Sequence, residues 1–192
     1  MTEETKETEE RLFLAIGFDE ELCRQLEKDV KKVKINLDKA ELGYKWVSPQ
    51  SYHVTLVFLG PTPASRKEEI VQKLQALKGQ LQGFELDISG VSAFSSERHA
   101  RLIYCGVQNK RSLRELVSRI RVELGLEPSD SYSPHLSIAR LRNPANVKDM
   151  ISPVCRKNFF KVSVTEIRLY RSHLGGPYPH YEILERFPLT PL

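Results

Sequence analysis

Two stretches of the chain repeat one order of elements, and this repetition limits the possible folds more than any other feature. An apolar strand is predicted from Arg11 and another from Arg101, and each precedes a helix with one apolar face and then a second strand. The second strands open on the same pattern of histidine, apolar residue, hydroxyl residue and apolar residue, as HVTL from His53 and HLSI from His135. We interpret the repetition as an internal duplication that gives two similar lobes in an α+β fold.

Further strands are predicted outside the two repeated units. Residues 84–91 alternate apolar and polar side chains, as expected for a half-buried strand. Two closing strands are predicted at about 160–171 and 181–187, whereas the segment that leads to Trp46 reads as a loop. The chain has 192 residues, enough for one domain of two lobes that share a core.

The charge of the chain is distributed unevenly. The first ten residues carry five glutamates and one lysine, and we predict that residues 1–10 form a disordered acidic tail. Residues 11–192, predicted as a single bilobal domain, hold 28 basic and 20 acidic residues. A basic domain suits an anionic partner such as nucleic acid, although an ordinary solvated surface is an equal explanation of charge alone.

Several classes of protein are disfavoured by the same sequence. No apolar run approaches the roughly 20 residues of a membrane span, and the acidic N-terminus does not resemble a secretion signal. The cysteines at 23, 105 and 155 are odd in number and scattered, which favours a reducing compartment over a disulfide framework. The sequence has no C-x-x-C pair and no H-E-x-x-H motif, so we do not expect a structural zinc site. We therefore expect a cytoplasmic monomer that needs no metal or cofactor.

The paired motifs predict a catalytic cleft. Residues i and i+2 of a strand share a face, so His53 projects with Thr55, and His135 with Ser137. Two lobes related by a pseudo-two-fold axis would bring both polar pairs to one cleft. One imidazole can then take a proton from a nucleophile that attacks phosphorus while the other protonates the leaving group. The hydroxyls can donate to the non-bridging oxygens.

A single strand histidine is more often a hydrogen-bonded structural residue, but a matched pair favours catalysis. The remaining histidines lack the pattern and are predicted to be surface residues, the last two being candidates for the rim of the cleft: His99, His173 and His180.

The segments RLFLAIGF, KWVSPQSYHVTLVFLG and SPHLSIAR resemble the bacterial and archaeal RNA 2′,3′-cyclic phosphodiesterases, also called 2′-5′ RNA ligases, of the two-histidine phosphoesterase superfamily. The resemblance covers about residues 11–189. It implies a bilobal α+β fold with antiparallel sheets around a central cleft. It also implies metal-independent hydrolysis of RNA 2′,3′-cyclic phosphate to a 2′-phosphate end, with weak reversible 2′-5′ ligation.

The resemblance also assigns roles to residues. It implies that His53 is the proton donor, that His135 is the proton acceptor and that Arg140 helps to hold the phosphate. Ser137 stands where threonine is commoner and keeps the hydroxyl donor. Strict strand alternation places Arg140 on the face opposite His135, so its side chain reaches the cleft only through twist, a strand end or a bulge.

Three aromatic residues are candidates for stacking on a nucleobase: Phe18, Trp46 and Tyr178. Core packing is the alternative for Phe18 and Trp46. Two other functions remain open. The chain could hydrolyse the cyclic phosphates of small nucleotides, or it could be a nucleotide-binding or RNA-binding module without activity, which the presence of both histidines disfavours.

Overall fold

The computed structural model describes residues 8–173 and 180–192. Within them the helices are α1 Glu20–Lys39, α2 Ala64–Ala76, α3 Lys110–Glu123 and α4 Lys148–Ile151. The strands are β1 Glu9–Gly17, β2 Tyr44–Trp46, β3 His53–Pro63, β4 Phe84–Phe94, β5 Ala100–Val107, β6 His135–Ala145, β7 Asn158–Val164, β8 Glu166–His173 and β9 His180–Pro188.

The strands form one sheet in the order β7-β4-β5-β6-β3-β1-β8-β9, with β2 paired to β6, and the pairs between these strands are antiparallel. Strands β6 and β3 meet at the centre through one residue pair, Val54 with Leu136. Four strands on each side of this junction form a lobe. In both lobes the central strand pairs with the strand that precedes it in its repeated unit, which confirms the bilobal α+β prediction.

The local sequence explains how these elements form and pack. Helix α1 begins after Asp19, whose carboxylate accepts a hydrogen bond from the Leu22 amide at 2.8 Å. The residues that α1 buries recur at helical spacing: Cys23, Leu26, Val30, Val33 and Leu37. Strand β1 divides its side chains between two clusters, because Leu12 and Leu14 enter the main core whereas Phe13 packs on the other face of the sheet.

Three predicted boundaries need correction. The predicted strand at 160–171 is two strands, β7 and β8, which lie in opposite lobes. The segment read as a loop before Trp46 contains β2. Finally, β1 begins at Glu9, so the last two residues of the predicted tail are ordered; Glu10 forms ion pairs with Lys67 and Arg171.

Among the residues that the structure describes, no helix combines the length and the apolar character needed to cross a membrane.

Candidate active site

The two histidine motifs lie side by side at the junction of the lobes. His53 begins β3 and His135 begins β6, and the Val54–Leu136 pair joins the two strands immediately after them. Val54 and Leu136 are fully buried in the core, so His53 and His135 project from the opposite face of the sheet. A cavity of about 220 Å³ opens at this face and is lined by Lys45, Trp46, Val47, Ser48, Ser51, His53, Ser137, Arg140 and Tyr181.

Both imidazoles are held by the same backbone contact. Nδ1 of His53 lies 2.7 Å from the carbonyl oxygen of Ser51, and Nδ1 of His135 lies 2.9 Å from that of Ser133. A carbonyl oxygen can only accept, so each Nδ1 carries a proton and donates it. Nε2 is therefore the atom of each ring that is left to exchange a proton with a ligand.

The two hydroxyl residues of the motifs differ in their contacts. The Thr55 hydroxyl oxygen lies 3.1 Å from Nε2 of His53, so Thr55 accompanies the imidazole as the sequence pattern predicts. The Thr55 carbonyl accepts a hydrogen bond from the Tyr132 hydroxyl at 3.0 Å, which ties β3 to the loop before His135. Ser137 lines the cavity itself.

Aromatic rings surround each histidine. The His53 ring packs against Phe13 and Tyr181, with centroid separations of 5.0 and 5.1 Å. The His135 and Phe94 rings form a T-shaped contact with centroids 5.2 Å apart, and Phe94 stacks on Tyr104 at 4.3 Å. These contacts pack both imidazoles against aromatic side chains and leave each histidine partly buried.

A β-bulge returns Arg140 to the histidine face. Opposite β6, Tyr104 pairs with Ser137 and Ile103 pairs with Ala139, which leaves Ile138 as the extra residue. Ile138 and Ala139 are both fully buried, so the alternation shifts by one residue before Arg140. Arg140 consequently lines the cavity.

The electrostatics of the site favour neutral imidazoles in the absence of a ligand. The pKa of His53 is lowered to about 4, mainly by burial and also by the positive charges of Arg140 and His135, while the hydrogen bond to Ser51 acts in the opposite direction. Burial also lowers the pKa of His135, and the positive charge of Arg140 lowers it as well. An anion bound between these groups raises both pKa values, because a negative charge favours the imidazolium form.

The structure separates the three aromatic candidates. Trp46 lines the cavity and also packs on the core. Phe18 is not among the residues that line this cavity; it packs edge-on against Phe160 at 5.3 Å and borders a neighbouring pocket. Tyr178 lies outside the described residues.

Some residues of the site were not predicted from the sequence. Tyr181 and Lys45 line the cavity, and Phe13 packs on His53. Lys45 adjoins Trp46 and Tyr181 follows His180, so both residues are sequence neighbours of candidate site residues. RLFLAIGF is apolar on both faces, so it does not single out Phe13, whose neighbour across the sheet depends on strand register.

His53 is the histidine in the lining of the cavity; His135 is not in the lining itself, and the three histidines outside the motifs lie elsewhere. His173 is exposed and lies 2.8 Å from the Glu182 carboxylate, His180 faces His173 across the β8–β9 pair, and His99 is exposed in the turn before β5. Across residues 8–173 and 180–192, no group of three or more histidine, cysteine, aspartate or glutamate side chains is arranged to hold a metal ion.

Comparisons with known proteins agree with this geometry. The family model of the 2′-5′ RNA ligase superfamily matches residues 18–176. The RNA 2′,3′-cyclic phosphodiesterase of Methanothermobacter thermautotrophicus is 28% identical over 185 residues, which cover 93% of this chain and 98% of that relative.

Solved structures share the fold. A crystal structure from Thermus thermophilus superimposes with a TM-score of 0.71 at 26% identity, covering 93% of this chain and 97% of that one. LigT of E. coli, crystallised with 3′-AMP, gives a TM-score of 0.70 at 24% identity and covers 95% of this chain and 99% of its own. The family match spans most of the chain and includes both histidine motifs, and the chain therefore belongs to the 2′-5′ RNA ligase superfamily.

Proposed function

We propose that this protein hydrolyses the 2′,3′-cyclic phosphate at the 3′ end of RNA to a 2′-phosphate. The observation that carries the proposal is the pair of imidazoles on adjacent central strands, each fixed through Nδ1 by a carbonyl two residues earlier. Relatives that match over nearly the whole chain bear the name RNA 2′,3′-cyclic phosphodiesterase, which supports the same reaction.

In this mechanism, His135 is the base and His53 is the acid. Nε2 of His135 takes a proton from a water molecule, and the water oxygen forms a bond to phosphorus in line with the 3′-oxygen. The bond from phosphorus to the 3′-oxygen breaks, and Nε2 of His53 supplies the proton that makes a 3′-hydroxyl. The phosphate stays on the 2′-oxygen, and solvent returns both imidazoles to their starting states.

The other polar groups stabilise charge on the phosphate. Once Nε2 of His53 is protonated it no longer accepts from the Thr55 hydroxyl, which lies 3.1 Å away. The hydroxyls of Thr55 and Ser137 can then donate to the non-bridging oxygens, and the Arg140 guanidinium offers two parallel donors to the same anion. If the 5′-hydroxyl of another RNA replaces water as the nucleophile, the same steps give a 2′-5′ phosphodiester. Hydrolysis and reversible ligation therefore need one set of side chains.

Product analysis tests the proposal. An RNA with a 2′,3′-cyclic phosphate is incubated with the enzyme and EDTA, and the new end is identified by separating 2′-phosphate from 3′-phosphate standards. We expect the 2′-phosphate as the single product, at a rate that EDTA does not change. The two imidazoles transfer the protons and the hydroxyl and guanidinium groups stabilise the phosphate, so no step requires a metal ion. A 3′-phosphate product, or activity that EDTA abolishes and divalent ions restore, contradicts the proposal.

We also propose that the protein acts as a monomer in the cytoplasm. Its three cysteines are free, as expected in a reducing compartment. The large exposed apolar side chains among the described residues are scattered over separate elements: Ile35, Phe58, Val122, Ile183 and Leu192. A sedimentation experiment that finds a dimer at micromolar concentration contradicts the monomer.

A further inference from the structure

Two cationic side chains face each other across β2 and β6. Lys45 is the direct partner of Arg140 in this antiparallel pair, and both residues line the cavity beside His53. Directly opposed residues have Cβ atoms about 4.5–5.5 Å apart, and like charges at such positions destabilise a sheet.

Acidic residues do not relieve this repulsion. The lining of the cavity includes no aspartate or glutamate. Among the residues that the structure describes, neither Lys45 nor Arg140 forms an ion pair with a carboxylate. Both side chains are exposed, and together they form a cationic site that attracts an anion.

In the bound substrate, the reacting phosphate accounts for only one of these cations. A cyclic phosphate diester carries a single negative charge on two non-bridging oxygens. Thr55, Ser137 and Arg140 already supply enough donors for those oxygens and one full positive charge. The charge of Lys45 remains, so the ligand that fits the cavity best carries a second negative charge.

The chemistry of an RNA end identifies that second charge. A nucleotide that ends in a 2′,3′-cyclic phosphate can continue only through its 5′-oxygen, so the next anion along the chain is the 5′ phosphodiester of the same nucleotide. We propose that Lys45 binds this 5′ phosphodiester and thereby makes the enzyme select oligonucleotide ends over cyclic mononucleotides. The inference rests on the proposed function, because it takes the reacting phosphate to lie beside Arg140 and the histidines.

A binding experiment with matched ligands tests the proposal without turnover. The first ligand is a dinucleotide with one internal phosphodiester and a terminal 2′-phosphate, and the second carries an uncharged methylphosphonate at the internal position. Lys45→Gln is compared with Lys78→Gln, which alters another exposed lysine beside a separate pocket. Dissociation constants are measured by calorimetry over a range of salt concentrations.

We expect Lys45→Gln to weaken binding of the charged dinucleotide by about 5- to 10-fold, as for one partly exposed phosphate contact, and to reduce its salt dependence. The methylphosphonate should weaken binding to the wild-type protein by a similar factor, and the two changes together should cost no more than either alone. Lys78→Gln should bind both ligands like the wild type. Independent, additive losses would overturn the assignment of Lys45 to the internal phosphate.

Kinetics separate this inference from the proposed function. With dinucleotide and mononucleotide 2′,3′-cyclic phosphates as substrates, Lys45→Gln should lower the ratio of their kcat/KM values about 5- to 10-fold, through KM rather than kcat. An equal loss with both substrates would assign Lys45 to the reacting phosphate and overturn the inference. A wild-type protein that hydrolyses neither substrate would refute the proposed function. The calorimetry would still test whether Lys45 binds the internal phosphodiester.

Discussion

At the scale of single residues, the site depends on which nitrogen of each imidazole is bound to the backbone. The carbonyls of Ser51 and Ser133 fix the Nδ1 protons of His53 and His135, and this leaves both Nε2 atoms for the reaction. Burial and Arg140 keep both rings neutral until an anion binds. The proposed role of His53 as the acid therefore requires the bound substrate to raise the pKa of His53.

The first prediction concerns the pH dependence of Arg140→Gln. Because the positive charge of Arg140 lowers the pKa of both histidines, its removal raises both values. The kcat/KM profile of the wild type should be a bell with its maximum below about pH 6.5, and the bell of the variant should lie at higher pH with a lower maximum. Arg142→Gln, outside the cavity lining, is the control and should keep the wild-type profile. If the pH optimum of Arg140→Gln equals that of the wild type, Arg140 does not lower the pKa values of the two histidines.

The second prediction concerns stability at acidic pH. The folded-state pKa of His53, about 4, lies below its ordinary value of 6.5, so the folded protein binds fewer protons between these limits. This contribution to the free energy of unfolding is complete above about pH 6.5 and is lost progressively towards pH 4, by about 3 kcal/mol at most. The free energy of unfolding is measured by urea titration at several pH values. His53→Gln should remove this part of its dependence on pH. If the free energies of unfolding of the wild type and His53→Gln depend on pH in the same way, the prediction is wrong.

The third prediction separates the roles of the two histidines. A nitrophenyl ester of a nucleotide has a leaving group that departs without a proton, so it does not need the acid. This substrate should partly restore activity to His53→Ala and should not restore activity to His135→Ala. Steady-state rates with the nitrophenyl and natural substrates provide the comparison. Rescue of His135→Ala instead would reverse the two assignments.

At the scale of elements, the sequence predicts what local patterns determine. The alternation after His53 and His135 predicts two strands with their polar pairs on one face, and β3 and β6 confirm it. The division of 160–171 between two lobes could not be predicted, because the break at Thr165 lies within a continuous β-type sequence. The bulge at Ile138 depends on pairing with β5, so the sequence alone could not predict which face Arg140 projects from.

The fourth prediction concerns the start of β1. Deleting residues 1–8 should leave the melting temperature within about 1 °C, because these polar residues have little to bury. Extending the deletion to residue 10 removes the ion pairs of Glu10, whose side chain is only 18% exposed, with Lys67 and Arg171. That deletion should lower the melting temperature by roughly 2–6 °C. Calorimetry measures both melting temperatures. If the two deletions have equal melting temperatures, residues 9 and 10 do not contribute to stability.

At the scale of the whole molecule, the duplicated lobes explain how one site arises from two separate motifs. The sheet order places the histidine strand of each lobe at the centre, where β3 and β6 share one residue pair. Neither lobe holds both histidines, so the site exists only when the lobes are joined. The sequence predicted the convergence because the two motifs repeat, but the cavity between β2, β6 and β9 requires contacts that are distant in the chain.

The most direct test of the account is the single-turnover rate of wild type, His53→Ala, His135→Ala and the double variant on an RNA with a 2′,3′-cyclic phosphate. Each single change should slow the reaction by about 10²–10⁴-fold, the contribution of one positioned proton-transfer group. The double variant should be far less impaired than the product of the two factors, because groups that act in one step are not additive. Full activity in either single variant, with an unchanged circular dichroism spectrum, would contradict the two-histidine mechanism.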